Sequence, residues 1–130
     1  MSDAGWRWLS IRSVLAIHAE QLAEHGGGTG VRDMAPLESA LARPMTLAAY
    51  GKPDAAALAA AYGYGIARNH PFVDGNERAA FVAAATFLLR NGSELNATEP
   101  KAALTFLALA SGKLTEERLV SWFRDHLEKS

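Results

Sequence analysis

Residues 69–92, NHPFVDGNERAAFVAAATFLLRNG, set the densest polar cluster of the chain directly before its greasiest run. Between Arg78 and Arg90 the only polar side chain is Thr86. A helix that is apolar on every face is normally enclosed by other helices. The run therefore predicts a buried helix from Asn76 to Asn91 at the centre of the domain, with Gly92 as its stop. It is too short to cross a bilayer, which takes about 20 residues. Ahead of it, Pro71 biases Asn69 and His70 away from helix, and Gly75 permits a tight turn. The polar cluster is thus a turn that feeds the N-terminus of the central helix.

Outward from this centre the chain reads as all-α. Alanine, leucine and a 3.6-residue period dominate. Ser10 is placed to cap a first helix, 11–24, with Ile11, Val14, Leu15, Ile17 and Leu22 on its apolar face. HGGGTG, 25–30, ends it and reads as a flexible turn. Asp33 is placed to cap a second helix that stops near Pro44, and residues 44–53, with two prolines and a glycine, read as a loop or short hairpin. Asp54 starts a third helix, 55–69, in which Gly63 and Gly65 predict close packing. A fifth helix, 100–110, follows an extended connection. Thr115 caps a last helix, with Glu116 and Glu117 in its first turn, where the dipole favours anions. This gives about six helices in one domain, 1–130.

Composition excludes several classes. The 130 residues include no cysteine, so disulfides and thiolate metal sites are ruled out. That fits a reducing, cytoplasmic setting. Thirteen basic and fourteen acidic residues give a formal charge of −1, which suggests neither nucleic-acid nor membrane binding. MSDAGWRWLS has no basic segment followed by an apolar one, so no export signal is expected there. His18 on the first helix and His126 on the last read as surface or boundary residues, and His25 as solvated.

The cluster itself has a chemistry. A helix N-terminus carries unpaired N–H groups and partial positive charge, which makes it an anion site. The amides of Gly75, Asn76, Glu77 and Arg78 would line it. Arg78 adds a planar cation suited to phosphate. Imidazoles titrate near neutrality, so His70 suits a general base. Asp74 is a hard oxygen ligand for a magnesium ion that also touches phosphate. Phe72 points into the core and anchors the turn. The set describes phosphate-transfer chemistry by positioning and charge neutralisation.

At these residues the sequence resembles the Fic/Doc family. HPFVDGNER matches its signature at His70, Phe72, Asp74, Gly75, Asn76 and Arg78. The early HGG, the AR two residues before the histidine, and FLLRNG are similar to the death-on-curing (Doc) branch. The resemblance implies a helical bundle with the motif between two central helices and a short flap near 44–51 that lays a target segment beside the site. It implies that His70 deprotonates a serine, threonine or tyrosine hydroxyl of a target protein and that Asp74 holds Mg2+ or orients the histidine. Gly75 and Asn76 would form the anion hole, and Arg78 with Arg68 would grip phosphates. Family members transfer AMP from ATP or other phosphate-linked groups. The Doc branch implies a type II toxin, elongation factor Tu as acceptor, and a cognate antitoxin.

Two positions depart from the family pattern. Glu77 stands where adenylylating members have glycine and Doc has lysine. A carboxylate there would oppose a nearby triphosphate by about 1–4 kcal/mol, or point to solvent, or bind magnesium. Phe81 replaces a second arginine that holds distal phosphates. Both put ordinary ATP-to-AMP transfer in doubt and point to a donor bound differently: ATP, another nucleoside triphosphate or a nucleotide sugar. The competing expectation is a catalytically weak or inactive binding module that acts through an antitoxin complex in transcriptional autoregulation.

Overall fold

The four N-caps read from the sequence are in place. The Ser13 N–H donates to Ser10 Oγ at 3.1 Å, Ala35 N–H to Asp33 Oδ1 at 3.2 Å, Ala57 N–H to Asp54 Oδ1 at 2.9 Å and Arg118 N–H to Thr115 Oγ1 at 3.1 Å. Each satisfies one orphan donor of a first turn. The structure, a computed structural model, describes residues 5–129, the side chain of Lys129 excepted. The stretch read as lacking an export signal begins outside them, at residues 1–4. Six helices are described: α1 (Ile11–His25), α2 (Met34–Tyr50), α3 (Ala55–Asn69), α4 (Asn76–Arg90), α5 (Glu99–Ala110) and α6 (Glu116–His126). Among the described residues no helix is long and apolar enough to cross a membrane.

The centre is shared by α3 and α4. On α4, Ala79, Ala80, Ala83, Ala84, Phe87 and Leu88 are buried, while Phe81 and Val82 are half-buried and Leu89 is exposed. α3 is enclosed more completely, since α2, α4, α5 and α6 all pack on it. Small residues allow that crowding. A Cβ at Gly63 would lie 3.0 Å from Phe106 Cε2 of α5, and one at Gly65 would lie 3.0 Å from Ala40 Cβ of α2. The close packing expected at both glycines is present.

One expected boundary is wrong. α2 runs through Pro44 to Tyr50, so residues 44–50 are helix and not a loop or hairpin flap. Leu37, Ala40, Leu41, Pro44 and Ala48 form one buried stripe. The helical period therefore continues across the proline, and its packing on α3 offsets a local cost of about 3 kcal/mol. The consequence for function is positional. α2 and α3 are antiparallel: Pro36 O accepts from Asn69 Nδ2 at 3.0 Å, Ala40 meets Gly65, and Arg43 Cζ lies 5.3 Å from the Tyr64 ring. Residues 44–50 thus run away from the motif, beginning about 12 Å along the axis from Pro36. They are not a flap beside it. Segment 30–36 holds that place.

A second element was not expected. β1 (Ser93–Leu95) pairs antiparallel with β2 (Leu127–Lys129), with Leu95 opposite Leu127. The Asn96 N–H extends the pairing to His126 O at 2.6 Å. Three-residue strands leave no readable period-two pattern, and a pairing this distant in sequence has no local signal.

Candidate active site

The polar loop begins where α3 ends. His70 is the C-cap of α3 and the one non-glycine residue with positive φ among those described (φ 48°, ψ 55°). That conformation costs about 1–2 kcal/mol for an L-residue with a Cβ. It is held from outside. Arg32 Nε donates to His70 O at 2.9 Å, and Arg32 Nη2 donates to the same oxygen and to Asn69 O. Pro71 O accepts from Arg32 N–H at 2.7 Å and from Asp33 N–H at 3.2 Å, while Val73 N–H donates to Gly30 O at 3.1 Å. Residues 30–33 therefore fix 69–73 by backbone and side chain together. The His70 side chain remains exposed.

Phe72 is 1% exposed and enters the core as expected. Asn76 closes the loop around it: Phe72 N–H donates to Asn76 Oδ1 at 2.9 Å, and Asn76 Nδ2 donates to Phe72 O at 3.0 Å. Both polar atoms of the Asn76 side chain take part in this clasp, which leaves its backbone amide and one Nδ2 hydrogen outside it. Gly75 takes φ 75°, ψ 23° as the N-cap of α4, and no side chain caps that helix. The first helical bond is Ala79 N–H to Gly75 O at 3.0 Å. The amides of Asn76, Glu77 and Arg78 are left without a helical acceptor.

The Gly75 amide departs from expectation. It donates to Asp74 Oδ1 at 2.8 Å, while Gly28 N–H donates to Asp74 Oδ2 at 3.3 Å. The Asp74 carboxylate itself sits among the amides expected to hold a ligand anion. Arg78 folds back over Gly75. A Cβ there would meet Arg78 Nη2 at 3.2 Å, and Nη2 donates to Gly26 O at 3.3 Å. Arg78 Nε is buried with no partner among the described residues. Glu77 and Phe81 are half-buried beside it, and Phe81 packs edge-on against Phe106 with centroids 5.3 Å apart.

Arg68 is not gathered with Arg78. Its Nη1 donates to Tyr64 Oη at 3.4 Å, its Cζ lies 5.4 Å from the Tyr64 ring, and Nη2 lies 3.9 Å from where a Gly112 Cβ would stand. Arg43 covers the same ring, so Tyr64 holds two guanidinium groups. Beside the loop a groove of about 390 Å3 opens between α1, α4 and α5. Glu77, Arg78 and Phe81 line its α4 side, and Leu104 and Leu107 its α5 side. His70 lies outside it.

Reading the sequence missed three contributors. Arg32 gives no signal beyond its place next to a cap. Gly26–Gly28 read as a flexible turn, yet they lie against the motif: a Cβ at Gly27 would stand 2.7 Å from Asp74 Oδ2, and one at Gly28 would stand 2.9 Å from Val73 Cγ1. His18, read as a surface or boundary residue, is 5% exposed. Its signal was available, because Ile11, Leu15, His18 and Leu22 share one helical stripe.

Fold and site define a small helical domain whose polar loop feeds the uncapped N-terminus of a buried helix. The chain belongs to the Fic/DOC family, whose model matches residues 8–88, from the approach to α1 almost to the end of α4. It is similar to the "Protein kinase doc" of Escherichia phage P1, 29% identical over 119 residues that cover 91% of this chain and 94% of that protein. It is also similar to the "Toxin Doc" of Mycolicibacterium smegmatis, 47% identical over 75 residues, or 55% of this chain and 57% of that one.

Proposed function

We propose that the protein transfers a phosphate-containing group, phosphoryl or nucleotidyl, from a nucleotide donor to a hydroxyl side chain of a target protein, as the toxin of a toxin–antitoxin pair. The observation that carries this reading is the α4 N-terminus. Three amides lack a helical acceptor there, beside a half-buried Arg78 whose Nε has no partner among the described residues, in the same loop as an exposed His70. Such an end binds phosphate oxygens through N–H groups and the helix dipole. The names of the two relatives, a kinase and a toxin, point the same way.

In this reading His70 takes the proton of the attacking hydroxyl. The hydroxyl oxygen forms a bond to phosphorus, and the bond to the leaving phosphate breaks. The amides of Asn76, Glu77 and Arg78 and the Arg78 guanidinium receive the charge that builds on the phosphoryl oxygens. Among the described residues no three His, Cys, Asp or Glu side chains converge as a metal cage. The donor set fits magnesium held by one carboxylate and by substrate phosphates, the usual arrangement for that ion. Asp74 would hold it, and it would neutralise phosphate charge. Phe81 belongs to the hydrophobic wall of the groove and offers distal phosphates nothing. This supports a donor held differently from ATP in adenylylating relatives, with other nucleoside triphosphates and nucleotide sugars as candidates.

Elongation factor Tu is the first acceptor to test, together with bacterial lysate, using labelled ATP, UTP and nucleotide sugars. Intact mass of the modified acceptor identifies the transferred group. Equal labelling by wild type and His70→Ala would remove His70 as the base. A second reading is favoured by the groove, whose exposed Leu104 and Leu107 suit the apolar face of a helix from an antitoxin. If growth arrest on expression survives His70→Ala, the protein acts by binding and not by transfer.

A further inference from the structure

Apart from Tyr62, the polar side chains buried among the described residues are His18 and Asn76, and both hydrogen-bond to the loop between α3 and α4. Asn76 belongs to that loop. His18 comes from α1, 56 residues before Asp74. We propose that His18 is a positioning residue for Asp74, and that α1 with its trailing glycines forms the brace that aims the Asp74 carboxylate. The inference rests on the transferase reading for its catalytic consequence, and on geometry alone for the brace.

Two contacts define the ring of His18. It lies face to face with Phe72, with centroids 3.7 Å apart and planes 7° from parallel. Its Nε2 is 2.8 Å from Asp74 O. A carbonyl only accepts, so Nε2 carries the hydrogen and donates. Aromatic pairs stacked for their own sake prefer offset or edge-on arrangements. The parallel, closely superposed ring is therefore placed by its hydrogen bond as well as by packing. A phenylalanine or leucine would fill the same volume. What histidine adds is one donor, delivered to the peptide that joins Asp74 to the left-handed Gly75.

That peptide decides where Asp74 points. Its carbonyl is held by His18, Oδ1 by the Gly75 amide and Oδ2 by the Gly28 amide. Two of the three bonds come from α1 and the turn after it. The turn approaches so closely that only glycine fits at Gly27, where φ is 124° and a Cβ would overlap Asp74 Oδ2. Supporting bonds of this kind fix the direction of a functional carboxylate, and their loss typically costs about 10- to 100-fold in activity.

The test compares wild type, His18→Phe and His18→Gln as full chains. His18→Phe keeps a ring against Phe72 and removes the donor, and His18→Gln keeps a donor and removes the ring. Amide hydrogen exchange at Gly28 and Gly75, followed by NMR without nucleotide or metal, reads the brace directly. Expected in His18→Phe is exchange at both amides faster by about tenfold or more, with unchanged protection in the α3 and α6 cores. Expected too is a fall in kcat of about 10- to 100-fold at constant acceptor KM. His18→Gln should recover part of both. Unchanged exchange at Gly28 and Gly75 in a folded His18→Phe protein overturns the brace, as does altered exchange with full kcat. If wild type shows no turnover with any donor, the transferase reading fails, and exchange at the two amides still decides whether His18 positions Asp74.

Discussion

Ala40 on α2 and Gly65 on α3 meet with no room for another methyl group: a Cβ at Gly65 would stand 3.0 Å from Ala40 Cβ and 3.1 Å from Ala40 Cα. Two effects compete in Gly65→Ala. Helix propensity favours alanine by about 1 kcal/mol. Overpacking against a neighbour's backbone costs about 1–3 kcal/mol, because the two helices must separate. The second effect wins, so urea unfolding should show a lower midpoint with unchanged slope. Gly63→Ala should be milder, since its close neighbour is the edge of the Phe106 ring, which can pivot. A Gly65→Ala protein as stable as wild type would show that α2 and α3 are not locked at this point.

Tyr62 ties the segment before α1 to the core. The Leu9 N–H donates to its Oη at 2.9 Å, and both residues are buried. Tyr62→Phe leaves that amide without a partner, which costs about 1–3 kcal/mol. The wild-type phenol also carries a pH signature. Burial raises its pKa above the ordinary 10.0, against a smaller lowering by the Leu9 hydrogen bond. The unfolded phenol ionises first as pH rises, so wild-type stability is complete below about pH 10 and falls above it. Denaturation at pH 7 and pH 10.5 should find a smaller gap between wild type and Tyr62→Phe at the higher value. A constant gap would contradict the burial effect.

Legibility followed the range of each interaction. Caps at Ser10, Asp33, Asp54 and Thr115 were readable because a cap binds an amide two or three residues away. The buried α4 was readable because its apolar run has no polar face. Pro44 misled because a local rule, that proline ends helices, was outweighed by a stripe of tertiary contacts from Leu37 to Ala48. The flap expected at 44–51 failed with it. At the site, the motif from His70 to Arg78 was visible as a cluster of chemistry. Its supports were not: the stripe on α1 marks His18 as buried without naming its partner, and His18, Gly28 and Arg32 reach the motif from 38 to 56 residues away. Arg68 stands four residues after Tyr64 on α3, a spacing that makes them helical neighbours; its contact with that ring was legible locally, but was passed over for its nearness to His70 in sequence.

Asp54 has two tasks that a substitution can separate. It caps α3, and it pairs with Arg124, whose Nε lies 2.8 Å from Oδ2. The Arg124 hydrogen bond is the main cause that lowers its pKa below the ordinary 3.8. A depressed carboxylate stabilises the fold above the unfolded pKa, and that stabilisation is lost as pH falls through the folded value. Asp54→Asn keeps a good N-cap and removes the charge. Wild type should be the more stable protein at pH 6, by a small and salt-sensitive margin because the pair is exposed. The margin should close below about pH 4. Thermal unfolding across that range checks it, and a margin that persists at pH 2.5 would assign the difference to capping alone.

Glu77 sets stability and donor binding against each other. In the first turn of α4 its carboxylate meets the positive end of the helix dipole, which is worth about 0.3–1 kcal/mol. Among the described residues no cation pairs with it, so its charge stands unneutralised beside Arg78 at the amides proposed to hold phosphate. Replacing it should therefore lower stability and raise affinity for a triphosphate at once. Glu77→Lys should bind MgATP more tightly by about fivefold or more, the lower end of the repulsion expected between such charges. Glu77→Gly should gain less, because it removes repulsion without adding attraction. Calorimetric titration with MgATP, run beside thermal unfolding of the same samples, separates the two effects. Equal affinity in all three proteins would mean that the carboxylate points away from the donor, and the choice of donor would then have to be sought in the Phe81 wall of the groove.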